Sequence, residues 1–282
     1  MVFVTGEKIV QYERYLKEEE RSRATVEKYL RDVRKFLGYV KEFGGGAFDK
    51  ELVLEYKQYL NENYKTTSVN SMLAAVNSFF EYLGCEECKV KLFKIQRVQF
   101  SEKERELTEK DYERLVHTAE RKGDIRMSML LQTIGSTGIR ISELRFITVE
   151  ALETGRAEIY NKGKSRIALL PVELVKVLKK YCRKVGIVRG SIFITRNGKL
   201  MDRSNISKRM KVLGREAGVD TAKVFPHNFR HLFARVFYSI EKDVVRLMDL
   251  LGHSNISTTR IYTMSTEEQP RRQMSRMRMV LS

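Results

Sequence analysis

The stretch LGHSNISTTRIY (251–262) closes an apolar run on Gly252, sets His253 immediately after it, and reaches Tyr262 nine residues later. Upstream lie HNFRH (227–231), which opens another helical run, and TGIRISEL (137–144). Histidine is scarce. His117, His227, His231 and His253 are the chain's four, and three of them fall between 227 and 253. His227 and Arg230 stand one helical turn apart and share a face. An imidazole beside a guanidinium at a helix start suits an anion, because the arginine fork and the open backbone N–H groups all donate. The pair also suits a local duty, with His227 satisfying backbone groups and Arg230 pairing with a surface acid.

Around these motifs the composition narrows the field. The chain has 282 residues, with 53 Lys+Arg against 36 Asp+Glu, a formal charge of +17. A single core stops growing at roughly 250–300 residues, so the length favours two domains. A hydrophobic share of 42% excludes a disordered or fibrous chain. No apolar run approaches the roughly 18–20 residues that span a bilayer. The start, MVFVTGEKIVQYERY, lacks the basic opening, apolar middle and small-residue cleavage site of a signal peptide. The expectation is a soluble protein of the cytoplasm. Cys85, Cys88 and Cys182 are too few for a disulfide framework. Cys85-Glu-Glu-Cys88 has a metal-like spacing but no second pair to complete a tetrahedral site, so no metal is assigned. The positive charge itself has three readings: nucleic acid, an anionic membrane surface, or a solvated face without a partner.

Periodicity divides the chain. Residues 1–95 read as four helices, each with one apolar stripe and one polar flank, as a small bundle requires. Thr5 caps the first, with Ile9, Tyr12 and Leu16 on one face. Thr25 caps the second, through Val26, Tyr29, Val33 and Val40 to Gly44-Gly45-Gly46. Asp49 starts the third, and Thr67-Ser68 start the fourth, with Val69, Leu73, Val76 and Phe80 on its stripe. From Gln96 to Glu106 periodicity lapses into a charged linker. Thr108-x-x-Asp111 reads as a capping box opening a fifth helix, and a sixth near 125–134 runs into a turn at Gly135–Gly138. Ala157–Tyr160 and Arg166–Leu170 are short strands flanking Asn161-Lys162-Gly163-Lys164-Ser165, a hairpin signature. Pro171 suits the first turn of the next helix. Ser191–Thr195 reads as a further strand, and the remainder as helices over 204–217, 227–239, 241–251 and after Thr266. The fold class is mainly α with a small antiparallel β-sheet.

Taken together, TGIRISEL, HNFRH and LGHSNISTTRIY, in that order and at that spacing, resemble the motifs of the tyrosine site-specific recombinases, in particular the Xer proteins and simple phage-type integrases. The resemblance covers the whole chain. It implies a SAM-like, four-helix core-binding domain over 1–95, a linker over 96–106, and an α+β catalytic domain over 107–282. Large integrases carry an additional arm-binding domain, for which there is no room before the four helices.

The resemblance also implies a chemistry that these residue types can perform. A tyrosine hydroxyl, here Tyr262, attacks a DNA phosphodiester and forms a 3′-phosphotyrosyl bond, releasing a 5′-hydroxyl. The five-coordinate transition state gathers negative charge on its nonbridging oxygens, and preorganised donors must stabilise it. Arg140 and Arg230 match the family's two arginines, each a permanent charge with a planar fork for phosphate. His227 and His253 would donate to, or relay protons around, the same oxygens. A free tyrosine has a pKa of about 10, so Tyr262 needs that cationic surround. The leaving oxygen needs a proton, which the family takes from a hairpin lysine in a Gly-Lys-Gly context. The loop here departs from that pattern. Lys162 precedes a glycine as the family's lysine does, and Lys164 is the alternative general acid. Glu143, one turn after Arg140, would orient an arginine by a carboxylate bridge, or else lie on the surface. His231 is a structural neighbour rather than a participant, and His117 belongs to the surface.

The family's chemistry requires no metal, cofactor or ATP. The implied partners are double-stranded DNA and three further copies of the chain, as a homotetramer at a Holliday junction. Met274, Met277 and Leu281 mark a last helix that either packs on its own domain or docks on a neighbouring protomer. Type IB topoisomerase-like nicking and resealing, and a non-catalytic architectural DNA-binding protein, are the competing functions. An architectural protein would be free to lose Tyr262 or an arginine, and none is missing.

Overall fold

The structure is a computed structural model that describes residues 2–95, 106–161, 164–253 and 255–259, without the side chains of Asn161, Lys164, Ile256 and Ser257. Lys162, Tyr262 and the C-terminal stretch with Met274, Met277 and Leu281 therefore lie outside the described residues, as does most of the 96–106 linker. The chain divides into two compact units, Met1–Arg97 and Val98–Ser282.

In the first unit β1 (Val2–Phe3) is followed by α1 (Gly6–Glu18), α2 (Arg23–Phe43), β2 (Ala47–Phe48), α3 (Lys50–Asn63) and α4 (Thr66–Leu83). The four helices expected from periodicity are present. The β1–β2 pair, joined through Val2↔Phe48 and Phe3↔Ala47, was not expected, since two-residue strands carry no readable alternation. Ser22, not Thr25, caps α2: its side chain accepts the Thr25 N–H, three residues on, as a cap must. Asp49 caps α3 by accepting from Glu51 and Leu52. The Phe36 ring sits 5.2–5.4 Å from those of Phe48, Tyr56 and Phe80, so aromatic packing joins α2, β2, α3 and α4 in one core.

The second unit contains α5 (Glu109–Arg121), α6 (Ile125–Thr137), a 3-10 turn at Ile141–Phe146, α7 (Val149–Thr154), β3 (Arg156–Asn161), β4 (Lys164–Leu169), α8 (Val172–Val185), α9 (Arg203–Glu216), α10 (Pro226–Glu241), α11 (Val244–Leu251) and α12 (Ile256–Thr259). Both halves of the Thr108–Asp111 capping box form. The expected turn at Gly135 is instead the last turn of α6. A Cβ at Gly135 would fall 2.7 Å from the Tyr112 ring, so this glycine serves close packing, and the left-handed Gly138 (φ 64°) ends the helix. Strands β3 and β4 pair antiparallel from Arg156↔Leu169 to Asn161↔Lys164. Ser191–Thr195 makes only single bridges, Thr148↔Ser191 and Ile194↔Leu200; its apolar run reflects the burial of Ile192 and Phe193 in the core. Helix α11 starts at Val244 rather than 241, because Asp243 caps it by accepting from Arg246. The architecture is mainly helical with two small antiparallel sheets. Among the described residues, no helix is long and apolar enough to cross a membrane.

Candidate active site

The C-terminal ends of α6 and α11 meet the N-terminal turn of α10, and Arg230 joins them. It lies one turn into α10 behind Pro226, whose ring suits the first helical position. Its residue is 1% exposed, among the largest buried side chains in the protein. Nη1 donates to the Gly138 carbonyl at 2.6 Å, and Nη2 to the Leu251 carbonyl at 2.7 Å. Both acceptors belong to helix ends, where carbonyls lack intrahelical partners and a cation is favoured. The guanidinium therefore satisfies two orphan acceptors while it fixes two loops. The surface-acid partner considered from sequence is not what burial allows.

Nη2 also lies 2.8 Å from Nε2 of His253. A guanidinium has no lone pair to offer, so Nε2 accepts, which leaves the proton on Nδ1. Nδ1 donates to Oγ1 of the buried Thr259 at 2.8 Å. Burial first, then Arg230, Arg140, Arg166 and His227, push the His253 pKa down to about 4. The imidazole is neutral at physiological pH, with its tautomer set by its two partners.

Arg140 enters from the segment after Gly138. Its backbone N–H donates to Glu143 Oε2 at 2.8 Å and its Nη1 to Oε1 at 2.9 Å. Glu143 is buried rather than on the surface, and its Oε2 also accepts from Arg166 Nη2 at 2.7 Å. Burial alone would raise the carboxyl pKa, but the Arg140 N–H, Arg166 and the Arg140 side chain outweigh it and hold Glu143 ionised. One carboxylate is thus shared by two arginines, and Arg140 keeps a partly exposed guanidinium.

His227 opens α10 with its ring reaching the surface. Desolvation, then Arg230 and Arg140, lower its pKa, so the field of both arginines extends to it. His231 packs edge-on against His227 with centroids 4.4 Å apart, and burial with the neighbouring His227 takes its pKa to about 4. His117 stands apart on α5, 3.5 Å from Glu120.

Of the residues singled out from sequence, the structure brings Arg140, Glu143, His227, Arg230 and His253 together. Lys162 and Tyr262 are outside the described residues, and Lys164 is placed by its backbone alone. Sequence reasoning missed Arg166 and Thr259. Arg166 carried a signal: it shares a strand face with the apolar Ala168, and an arginine on an inward face calls for a buried acid. Among the described residues, Arg140, Arg166 and Arg230, with Glu143 the one carboxylate of the cluster, leave this centre positive. Such a surround accommodates an anion that becomes more negative as it reacts.

The comparisons identify the class. The phage integrase family matches residues 105–269, and the phage integrase N-terminal SAM-like domain matches residues 9–87. The chain belongs to the phage integrase family and is a tyrosine recombinase, an enzyme that cleaves and rejoins DNA. Within it, the chain is 29% identical to the tyrosine recombinase XerD of Vibrio cholerae over 258 residues, 85% of each chain. It is 28% identical to the tyrosine recombinase XerA of Thermococcus kodakarensis over 286 residues, covering 98% of this chain and 96% of that one. A crystal structure of the XerH site-specific recombinase bound to palindromic difH substrate, a post-cleavage complex, shares the fold with a TM-score of 0.72. It is 20% identical and covers 95% of this chain and 84% of that one. The chain is an Xer-like site-specific recombinase.

Proposed function

We propose that Arg140 and Arg230 bind the nonbridging oxygens of one scissile phosphate while Tyr262 attacks it. The observation that carries this reading is the threefold engagement of Arg230, whose side chain holds Gly138, Leu251 and His253 at once. The segment that begins two residues later with Arg140 and the segment that leads from His253 to Tyr262 are thereby tied to one cation. His227 donates to, or relays a proton around, the same oxygens, His253 accepts from Arg230 and so holds its guanidinium, and Glu143 holds Arg140. Lys162 protonates the leaving 5′-oxygen, with Lys164 the alternative.

On this reading residues 1–95 form the core-binding domain, 96–106 the linker and 107–282 the catalytic domain, and each domain binds DNA. Two duplexes contain four strands to be cut and each active site carries one tyrosine. Complete exchange through a Holliday junction therefore calls for four protomers, and the helix bearing Met274, Met277 and Leu281 docks in trans to couple them. The target is chromosomal DNA in the cytoplasm. The role is that of an Xer-type recombinase or of a small mobile-element integrase, two roles that share this architecture.

Covalent capture tests the function and finds the target site in the same experiment. The protein is incubated with sheared genomic DNA from its source, and fragments attached through their 3′ ends are sequenced. One short palindrome-like site should emerge, and two duplexes carrying it should yield products with exchanged flanks. Adducts scattered over unrelated sequences, or relaxation of supercoils without exchanged flanks, would overturn the proposal.

A further inference from the structure

We infer that Arg166 is a positioning residue that ties the β3–β4 hairpin to the arginine–histidine centre, and so sets the place of the leaving-group proton donor. The inference rests on the recombinase reading above and assigns a part to a residue to which that reading gives none.

Arg166 pairs with Ile159 in the hairpin register. Its neighbours Ser165 and Ile167 are exposed, whereas the Arg166 side chain is only 15% exposed. Nη2 donates to Glu143 Oε2 at 2.7 Å, and Nη1 donates to the Leu250 carbonyl at 3.0 Å. The stem passes directly over Gly252, where a Cβ would lie 2.2 Å from Cδ and 2.6 Å from Nε. One side chain on the hairpin thus reaches both the 3-10 turn that carries Glu143 and the end of α11.

Two consequences follow. Leu250 and Leu251 present successive carbonyls, the first held by Arg166 and the second by Arg230. The residue pair that follows, Gly252-His253, is therefore fixed by both arginines. Glu143 likewise binds Arg140 with one edge and Arg166 from beside it, so Arg140 and the hairpin share one carboxylate. A two-stranded hairpin alone is marginally stable in water. The inner face of this one supplies mainly Ala157, Ile159 and Ala168, and Arg166 is the polar anchor among them. Arg166 and Lys164 are two positions apart, about 7 Å of strand at about 3.3 Å per residue. Lys164 pairs with Asn161, and the positions between that pair are Lys162 and Gly163. A charge pair alone would need only Glu143; the second bond to Leu250 and the close passage over Gly252 fix where β4 lies.

A leaving group that needs no proton separates this role from a structural one. Single-turnover cleavage is measured on a duplex with the captured site and on the same duplex with a 5′-bridging phosphorothiolate, whose sulfur departs without protonation. Arg166→Ala and Arg166→Lys should lower cleavage of the ordinary phosphodiester by about 10- to 100-fold, a partial loss of the roughly 10²–10⁴ that a general acid contributes. The deficit should shrink to about threefold or less on the phosphorothiolate, as it should for the hairpin lysine variants Lys162→Ala or Lys164→Ala. Arg166→Lys keeps the charge and one bond, and serves where the alanine variant does not fold. Equal deficits on the two substrates, or no deficit in either variant, would overturn the positioning role. Absence of a wild-type adduct on both substrates would instead overturn the recombinase reading itself.

Discussion

Arg230 and His253 meet at 2.8 Å, the guanidinium donating to Nε2 of a neutral imidazole that in turn donates to Thr259. The chain of donors runs in one direction and leaves each partner with one available role. Arg230→Lys keeps a charge but cannot hold Gly138, Leu251 and His253 together, since an ammonium lacks the planar fork. Single-turnover cleavage of the captured site by this variant should fall by at least about 10²-fold, the scale of losing one preorganised donor. Retention of wild-type cleavage would show that the fork is not needed.

Glu143 compensates two arginines inside the protein. Glu143→Ala should lower unfolding stability by about 3–5 kcal/mol, the usual result of removing one partner from a buried ion pair. Glu143→Gln keeps an acceptor for the Arg140 N–H and should cost less. Urea denaturation of the three proteins gives the order directly, and equal stability for wild type and alanine would contradict the shared-carboxylate geometry.

The two half-buried histidines predict an acid-sensitive fold. His231 and His253 both have folded pKa values near 4, against 6.5 for the free side chain. Between those values the unfolded chain binds more protons, so stability falls as pH falls through that window and levels off below it. Melting temperature should decline more steeply from pH 7 to 5 in wild type than in the double variant His231→Gln/His253→Gln. Parallel declines would show that these histidines titrate alike in both states.

Gly252 and Gly186 offer a matched pair. Both are left-handed helix caps, at φ 62° and 76°, but a Cβ at Gly252 meets the Arg166 stem whereas one at Gly186 meets nothing within 4 Å. Each alanine variant should pay the left-handed strain of about 1–2 kcal/mol. Only Gly252→Ala should also displace Arg166 and slow cleavage. Equal cleavage by the two variants would count against the packing of Arg166 on this glycine.

Much of this cluster was legible because it is built from rare residues at fixed spacing. His227, Arg230 and His253 stand out in a chain with four histidines, and Arg140 stands beside a helix-ending glycine. The helices were equally legible from stripes such as Val69, Leu73, Val76 and Phe80. Features that depend on two distant segments were not. Gly135 looks like a turn until Tyr112 is seen against it, and Ile192-Phe193 looks like a strand when its apolarity comes from core burial. Whether Glu143 was a surface acid or a bridge depended on Arg166, 23 residues away on another element. The +17 charge, open to three readings at first, gains its meaning from the few cations converging on one centre.

The central claim is that this centre serves Tyr262 as nucleophile. The direct measurement is denaturing-gel detection of a covalent complex on a nicked duplex carrying the captured site, with the attached peptide identified by mass spectrometry. Wild type should trap a 3′-linked adduct on the peptide containing Tyr262, and Tyr262→Phe should trap none. An adduct of undiminished yield in Tyr262→Phe, or one mapping to another tyrosine, would contradict the account.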